Sequence, residues 1–402
     1  PWRYEYYDGG QTMQSTDERN LETIPVGPLG IIPLASCKTL GEKINNYLVT
    51  WRKEREHEHK SSIAFKDYMR DTYIIKAATP RFGSGEAKGV IQESVRGDDL
   101  YILVDVCNYS LTYKLFGHIN HMSPDDHFQD LKRVIAAVGG KAKRINVIMP
   151  FLYESRQHKR TDRESLDCAL GLQELVHMGV DNIITFDAHD PRVQNAIPLK
   201  GFETVQPVYQ FIKGLYRAVP DLHIDKNTMM VISPDEGGTG RAIYMSNVLS
   251  VDMGMFYKRR DYTRIVNGRN PIVAHEFLGA DVEGKDMVII DDMISSGDSV
   301  IEVATELKKR KAGRIFICAT FGLFTSGLEK FDKAYERGLF DYVLTTNLVY
   351  QTPELLEKPY YINCDLSKYI AYIIDTLNHD DSISSLLSPV ARINKFLDSH
   401  NK

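Results

Sequence analysis

The chain has 402 residues, of which 43% are hydrophobic and 26% are charged, as is typical of a globular protein with room for two or three domains. This composition excludes the collagen-like, disordered and disulfide-scaffold classes, and every apolar stretch falls short of the ~18 residues that a membrane span requires. The net charge of −5 gives no general reason to bind nucleic acid or acidic lipid. We therefore expect neither nucleic acid nor a membrane among its partners.

The five cysteines are dispersed, and no two of them form a Cys-x-x-Cys pair. An odd and dispersed set indicates reduced thiols rather than a disulfide framework or a zinc knuckle. The first residues lack the basic-then-apolar pattern of a secretory signal. Together these features predict a cytoplasmic protein.

The first 76 residues carry two patterns. Residues 1–28 are polar and aromatic without clear periodicity, and we interpret them as an extension. Residues 40–76 have a helical pattern that includes a charged stretch with His57 and His59. A spacing of two places these histidines on different helix faces, which favours a solvated face over a metal site.

From residue 97 onward, short apolar runs alternate with amphipathic segments. The runs predict strands at 100–106, 145–150, 182–186, 228–232 and 287–290. Between them, residues 164–178 predict a helix that ends at Gly179 in the left-handed conformation. This alternation predicts parallel βαβ units, and hence an α/β protein with two doubly wound parallel-sheet domains.

A shift in composition near residues 202–206 predicts the boundary between the two domains. The expected divisions are an extension over 1–28, an N-terminal domain over 29–203, a C-terminal domain over 204–350 and a helical segment over 351–402 that packs on the core. In doubly wound sheets, ligands bind beyond the carboxyl ends of the strands. The loops that leave the strands in that direction are therefore the first place to look for a site.

The most informative of these loops lies in residues 287–299, MVIIDDMISSGDS. Its strand ends in Asp291 and Asp292, and a helix then opens with Ser295, Ser296, Gly297 and Ser299. The inner face predicted for this helix consists of Val300, Val303, Ala304 and Leu307. A helix N-terminus attracts phosphate, while paired carboxylates suit the vicinal hydroxyls of a sugar or a divalent cation. The segment can therefore hold both ends of a ribose 5-phosphate. The open alternative is an N-capped helix with a solvated acidic turn.

The same segment resembles the phosphoribosyl-binding signature of the phosphoribosyltransferase fold, and the chain from about Gly30 to Asn347 resembles the ribose-phosphate pyrophosphokinase (phosphoribosyl pyrophosphate synthetase) family. Six blocks match in colinear order: RFGSGEAKGVIQESVRG (81–97), MPFLYESRQHKR (149–160), ITFDAHD (184–190), ISPDEGGTGR (232–241), YKRR (257–260) and DDMISSGDS (291–299). One such block is weak evidence, whereas six in order are specific.

The resemblance implies an enzyme of nucleotide biosynthesis. Such a diphosphokinase transfers the β,γ-diphosphoryl group of Mg-ATP to the anomeric hydroxyl of ribose 5-phosphate, giving 5-phosphoribosyl 1-diphosphate and AMP. It implies Mg²⁺ as the cofactor, with His189 and Asp235 as ligands, since Mg²⁺ accepts few protein ligands beside waters and phosphate oxygens. It also implies that Lys258 and Arg260, which we expect in a mobile loop, act catalytically together with His189 and Arg156.

By the same resemblance, the N-terminal domain is the ATP side and the C-terminal domain the ribose 5-phosphate side. Arg156, Gln157 and Lys159 would face the triphosphate, where arginine makes bidentate contacts and lysine acts as a point charge. The block at 81–97 implies an adenine site, shared with a neighbouring subunit in a homo-oligomer of two subunits up to a hexamer. Its residues are Phe82, Ser84 and Glu86, and the ribose 5-phosphate residues are Asp291, Asp292, Ser295, Ser296, Gly297 and Ser299.

The chain departs from the family pattern at several positions. His158 and Asp298 replace an aspartate and a glycine, and further changes occur at Ser84, Gly240 and Ser295. These changes bear on substrate affinity and regulation more than on the fold. The basic run at 308–311 resembles a localisation or nucleic-acid patch, but it lies in the last turn of a predicted helix, where cations favour the helix dipole.

Two other functions stay open. The first is a non-catalytic regulatory paralogue that binds nucleotides and joins an active subunit, although the chain retains the cationic loop and His189. The second is a phosphoribosyltransferase, which would need only the loop at 291–299 and would leave the blocks at 81–97 and 156–160 unexplained.

Overall fold

The computed structural model describes the backbone over residues 2–8, 11–19, 23–55, 63–260 and 272–400, and the side chains over 23–55, 64–257 and 276–400. Its strands are β1 (Trp2–Asp8), β2 (Gln11–Arg19), β3 (Leu29–Pro33), β4 (Ala77–Ala78), β5 (Val90–Ile91), β6 (Asp99–Leu103), β7 (Thr112–Leu115), β8 (His118–His121), β9 (Arg144–Ile148), β10 (Asn182–Phe186), β11 (Gly201–Val205), β12 (Met229–Ser233), β13 (Asp252–Arg260), β14 (Ile272–Leu278), β15 (Asp286–Ile294), β16 (Ile315–Gly322), β17 (Tyr342–Thr346) and β18 (Tyr361–Cys364). Its helices are α1 (Lys38–Glu54), α2 (Pro124–Val138), α3 (Asp167–His177), α4 (Val208–Ala218), α5 (Thr239–Leu249), α6 (Asp298–Lys309), α7 (Glu329–Glu336), α8 (Pro353–Leu356), α9 (Ser367–Asn378), α10 (Ser384–Leu387) and α11 (Val390–His400).

The first half of the chain forms a parallel sheet in the order β11-β10-β9-β6-β3. The strands β3, β6, β9 and β10 are short runs that are almost entirely buried, as parallel strands covered by helices must be, while β11 at the edge is half-buried. A single parallel bridge joins Ile31 of β3 to Ile74 on the far side of β3. The hairpins β4–β5 and β7–β8 are separate two-stranded ladders.

The second half forms a sheet in the order β14-β13-β12-β15-β16-β17-β18, parallel except for the antiparallel pair β13–β14. After β12 the chain adds β13 and β14 on one side and then returns to add β15 on the other. Strand order therefore reverses between β12 and β15, which is where ligands of such sheets bind. The predicted α/β class with parallel-sheet domains is confirmed.

The chain after residue 350 joins both halves. Strand β18 pairs with β17 at the edge of the second sheet, although the sequence predicts only helix over 351–402. Helix α9 instead packs on α1 of the first half, where Trp51 and Tyr372 stack with ring centroids 4.3 Å apart. No helix of the described ranges has both the length and the apolarity to cross a membrane.

The helix predicted over 40–76 ends much earlier, at Glu54 of α1. Residues 73–75 are extended beside β3, because the backbone of Ile31 donates to the Tyr73 carbonyl and accepts from the Ile75 amide. Pairing with a buried strand thus overrides the local helical pattern. His57 and His59 lie outside the described residues.

A buried ionic cluster fixes α9 against α1. The carboxylate of Asp375 accepts hydrogen bonds from Arg55 at 2.6 Å and from Arg52 at 3.2 Å. Burial opposes ionisation of Asp375, but the two guanidinium groups outweigh it and hold the pKa of that carboxyl well below its usual range. Next to it, the His379 ring contacts the Asp375 carbonyl through Nδ1 and the Tyr68 hydroxyl through Nε2.

This cluster predicts that the free energy of unfolding falls as the pH is lowered from 7 to 4. Burial lowers the pKa of His379 to about 4, so the unfolded chain takes up this proton near pH 6.5 while the folded chain resists it. Between pH 7 and pH 4, His379 therefore loses a contribution of about 3 kcal/mol to the free energy of unfolding. Urea unfolding at several pH values measures it. We expect His379→Gln to flatten the slope and the exposed-site control His177→Gln to retain it, so equal slopes in wild type and His379→Gln would contradict the assignment.

Candidate active site at the junction of the two sheets

The carboxyl ends of β10 in the first half and β15 in the second half meet in one polar cluster. His189, just beyond β10, donates through Nδ1 to the Asp292 carboxylate of β15 at 2.6 Å. Asp187 of the first half accepts from Arg241 Nε of α5 and from the Thr320 hydroxyl of β16, both at 2.7 Å. The cluster therefore ties the predicted ATP side to the predicted ribose 5-phosphate side.

The pKa values of the two adjacent carboxyl groups of β15 are shifted in opposite directions. Burial opposes ionisation of Asp292, but the hydrogen bond from His189 and the charge of Arg241 outweigh it and lower its pKa. Burial and the neighbouring Asp292 charge raise the pKa of Asp291 well above its usual range. The hydrogen bond to Asp292 raises the pKa of His189 in turn. One carboxylate is thus held charged while its neighbour is driven toward the neutral acid.

Sequence reasoning assigned no role to Arg241, although it closes the block at 232–241. Its side chain is 9% exposed and lies between Asp187 and Asp292, with Nη2 3.9 Å from the latter carboxylate. A single arginine therefore neutralises carboxylates from both halves. In the sequence, the one feature that points to a role for this arginine is its position directly after a glycine-rich turn.

Replacing Arg241 by Met should destabilise the fold by about 3–5 kcal/mol, because two buried carboxylates lose their counter-charge. The midpoint of urea unfolding measures this loss. Arg192→Met is the matched control, since that arginine is 78% exposed in its pair with Asp190, and exposed pairs contribute under about 1 kcal/mol. A midpoint for Arg241→Met equal to that of the control would show that Arg241 is not the neutralising group.

The turn into α6, where the sequence predicts a phosphate site, is a tight turn at a glycine. Gly297 has φ +84°, and a Cβ there would lie 2.3 Å from the Phe331 ring, so no other residue fits. Asp298 begins the helix with one oxygen bonded to the Ser296 hydroxyl and the other to Lys330 at 2.6 Å. The added carboxylate of this departure from the family pattern is therefore balanced by a lysine of α7.

The other two residues of the predicted phosphate loop lie just before α6 and in its first turn. Ser299 lies in the first turn of α6, and the Ser295 hydroxyl lies 3.4 Å from that of Thr325. The predicted inner face of α6 is confirmed, since its buried residues are Val300, Val303, Ala304 and Leu307. The basic run at 308–311 lies at the C-terminal end of this helix, as predicted.

Asp235 lies on the neighbouring turn between β12 and α5. Its carboxylate is exposed and accepts the Gly238 amide at 3.0 Å. Its charge raises the pKa values of both His189 and Asp291, which places it electrostatically beside each of them. Side chains from β15 and from the turns after β10 and β12 therefore act on one another.

The donor set at this point suits Mg²⁺. The Nδ1 atom of His189 is used by Asp292, which leaves Nε2 available to a cation in the common carboxylate–histidine–metal arrangement. No group of three or more potential ligands occurs among the residues that the structure describes. A pair such as His189 and Asp235 fits a cation that completes its shell with waters and phosphate oxygens.

The predicted triphosphate residues lie on the loop after β9. Arg156 and Lys159 are exposed there, whereas the amide of Gln157 donates to the carbonyls of Lys159 and Ser165 and so braces the loop itself. The His158 ring lies 5.3 Å from the His189 ring, and its buried Nδ1 has no hydrogen-bond partner in the described part of the chain. The histidine that replaces the family's aspartate is therefore next to the site.

The predicted adenine residues form a separate tight turn. Phe82 is 54% exposed at its tip, and the Ser84 hydroxyl donates to Glu86 at 2.8 Å. The turn packs on the β7–β8 hairpin, where the Phe116 amide donates to the Gly83 carbonyl. Its role in a neighbouring subunit's site stays a prediction.

The segment predicted to be the catalytic loop is described only in its backbone, and only as far as residue 260. Lys258 and Arg260 belong to β13, which pairs antiparallel with β14, so the expectation of a loop at these residues is wrong. Pairing with β14 continues β13 past the apolar residues 251–256, through the basic residues that follow them. The side chains of both residues, and residues 261–271, lie outside the described part.

Comparisons with known proteins match the chain to one family over most of its length. The model described as the N-terminal domain of ribose phosphate pyrophosphokinase matches residues 29–179, and the phosphoribosyl transferase domain model matches residues 203–357. A ribose-phosphate pyrophosphokinase of Vibrio vulnificus is 29% identical over 317 residues, covering 78% of this chain and 91% of that protein. One of Mycoplasma genitalium is 29% identical over 280 residues, covering 69% and 76%.

A solved structure agrees with this assignment at the level of the fold. The phosphoribosylpyrophosphate synthetase of Mycobacterium smegmatis superposes with a TM-score of 0.68 at 21% identity, covering 88% of this chain and 99% of that one. Both family models, the curated relatives and this fold agree with the six sequence blocks. The chain belongs to the ribose-phosphate pyrophosphokinase family.

Proposed function

We propose that the protein transfers the β,γ-diphosphoryl group of Mg-ATP to the anomeric hydroxyl of ribose 5-phosphate, releasing AMP. The observation that carries this proposal is the direct bond between His189 and Asp292. It brings the end of the predicted ATP-side sheet against the end of the predicted sugar-side sheet. A transfer between two substrates requires that closeness, because most of the catalysis of phosphoryl-type transfer is positioning.

On the sugar side, the N-terminus of α6 would bind the 5-phosphate, while Asp291 and Asp292 would bind the ribose hydroxyls. Asp292 also engages His189 through Nδ1, and Nε2 would then serve the nucleotide side. Arg241 balances the charge that Asp292 and Asp187 bring to this point. The sugar and the nucleotide would thus be held by two residues, Asp292 and His189, that are hydrogen-bonded to each other.

On the nucleotide side, the exposed cations Arg156 and Lys159 would bind the triphosphate. His189 and Asp235 would hold Mg²⁺, which supplies neutralisation of phosphate charge when bound. Lys258 and Arg260 would add positive charge at the transferring group. In this proposal Phe82 stacks on the adenine of a neighbouring subunit, so the active form is a homo-oligomer.

The direct test is AMP formation from Mg-ATP in the presence and absence of ribose 5-phosphate. We expect AMP only with the sugar present. A folded protein that binds ATP but forms no AMP at any phosphate or Mg²⁺ concentration would favour the regulatory paralogue. Consumption of 5-phosphoribosyl 1-diphosphate with a nucleobase would favour a phosphoribosyltransferase.

A further inference from the structure

The turn that carries the predicted adenine residues, at 81–87, rests on the β7–β8 hairpin. Gly85 of the turn lies against β7, since a Cβ there would be 2.6 Å from the Leu115 side chain. The tip of the hairpin bonds to the same turn, because the Phe116 amide donates to the Gly83 carbonyl at 2.9 Å. The turn and the hairpin therefore form one unit.

This unit is anchored to α2. The Arg81 guanidinium lies over the Tyr113 ring of β7, 4.6 Å from its centroid, and donates to the Asp130 carboxylate at 2.8 Å. The Tyr113 hydroxyl donates to Asp126 at 3.2 Å. Both of these carboxylates belong to α2. Side chains on the unit are therefore presented from a backbone that is held in place, which reduces the entropy lost when a ligand binds.

The hairpin turns through Phe116 and Gly117, the two residues between the Leu115–His118 pair of β7 and β8. Their φ angles are +47° and +83°, as in the type I′ turns that favour asparagine followed by glycine. A phenylalanine with positive φ is strained, because its Cβ crowds the following carbonyl oxygen. Asparagine would relieve this strain, so the turn alone does not account for a phenylalanine at this position.

The strained residue is also exposed. Solvent reaches 77% of the Phe116 side chain, and Phe82 of the neighbouring turn is exposed as well. Since the Phe116 amide bonds to the residue that follows Phe82, the two rings start from neighbouring points of the backbone. Strained conformations cluster at ligand sites, and aromatic faces stack on nucleobases. Together the two rings have the chemistry of a nucleobase site.

We propose that Phe116 is a second aromatic contact for the adenine base, beside Phe82, and so helps to set the affinity for the nucleotide. This inference rests on the proposed function, in which the turn at 81–87 holds the adenine bound to a neighbouring subunit. The base lies against both rings, and the exposed Glu86 carboxylate accepts from its exocyclic amine. The strain at Phe116 is retained because asparagine, which would relieve it, has no aromatic face.

The test is isothermal titration calorimetry of the full chain with Mg-ATP and with Mg-tripolyphosphate, a probe that lacks a base. We expect Phe116→Asn to weaken ATP binding about tenfold, within the range for loss of one base–aromatic stack, and to leave tripolyphosphate binding unchanged. Phe116→Tyr keeps the ring and should bind ATP as wild type does. Leu199→Asn, at an apolar side chain that is 95% exposed just before β11, is the matched control and should also bind as wild type does.

Thermal unfolding separates this role from a structural one. Phe116→Asn should raise the midpoint by about 2 °C, because asparagine accepts positive φ more readily, whereas Phe116→Tyr should leave it unchanged. Higher stability with weaker ATP binding is the result expected of a residue kept for its ligand. An unchanged ATP affinity in Phe116→Asn, or an equal loss of affinity for ATP and tripolyphosphate, would overturn the proposal.

Further outcomes separate this inference from its alternatives. A smaller oligomer of Phe116→Asn in sedimentation velocity would make Phe116 a contact between subunits and overturn the proposal. If wild type forms AMP while Phe116→Asn binds ATP normally, this inference alone fails. If wild type binds ATP through Phe116 but forms no AMP, the proposed function alone fails. Wild type that binds no ATP would overturn both.

Discussion

Replacing Asp292 by Asn is expected to lower kcat/KM for ribose 5-phosphate by about 100- to 1,000-fold, the range for loss of a preorganised charge in an active site. The reason is that Asp292 is held ionised by His189 and Arg241. Asp291→Asn should cost less than about tenfold, because burial and the Asp292 charge already drive Asp291 toward its neutral form, which Asn resembles. Two adjacent and chemically identical residues should therefore respond very differently.

Steady-state kinetics of both variants measures this contrast, with thermal unfolding as the control for structure. An NMR titration of His189 gives a second readout. Its pKa, raised in wild type by the Asp292 hydrogen bond, should fall in Asp292→Asn and change little in Asp291→Asn. Equal rate losses at the two positions, with an unchanged His189 pKa, would contradict the proposed division of charge.

Lys258→Ala is expected to lower kcat by about 1,000-fold, comparable to the loss of a cation that stabilises a transferring phosphoryl group. Lys258 belongs to β13, which neighbours the strand whose following turn carries Asp235. The substitution should leave the Kd for ribose 5-phosphate nearly unchanged, because the sugar loop belongs to β15 and α6.

Rapid-quench measurement of AMP formation, with ATP and sugar both saturating, tests this prediction. Lys309→Ala in the exposed last turn of α6 is the control for loss of a lysine. If Lys258→Ala and Lys309→Ala gave the same rate as wild type, the β13–β14 pair would be a basic surface hairpin with no catalytic part.

Local patterns predicted many single elements of the fold. The strand predicted over 182–186 is β10 itself, and the apolar spacing of α6 predicted its four buried residues. These predictions succeed because a buried strand or an amphipathic helix carries its own periodicity. The helix predicted over 40–76 fails beyond Glu54, since residues 73–75 pair with a strand about 40 positions earlier, which a local pattern does not record.

The sequence named several residues of the candidate site, but it did not predict the hydrogen bonds and ion pairs that join them. His189, Asp235 and Asp292 followed from matching blocks, yet the bond between His189 and Asp292 joins residues 103 positions apart. Arg241 and Asp187 were missed as a pair for the same reason, because neutralisation of a buried charge depends on tertiary neighbours. The opposite pKa shifts of Asp291 and Asp292 likewise depend on tertiary structure, since His189 and Arg241 lower the pKa of Asp292 while burial and the Asp292 charge raise that of Asp291. Two adjacent aspartates in a sequence do not reveal this difference.

The central claim, diphosphoryl transfer between the two halves, is tested most directly with ATP labelled in its β-phosphate. After incubation with Mg²⁺ and ribose 5-phosphate, we predict that the label leaves the nucleotide and appears in the sugar product, with unlabelled AMP formed in equal amount. Label that stays in ADP, with only the γ-phosphate on the sugar, would contradict diphosphoryl transfer. Label that stays entirely in ATP would contradict the catalytic account.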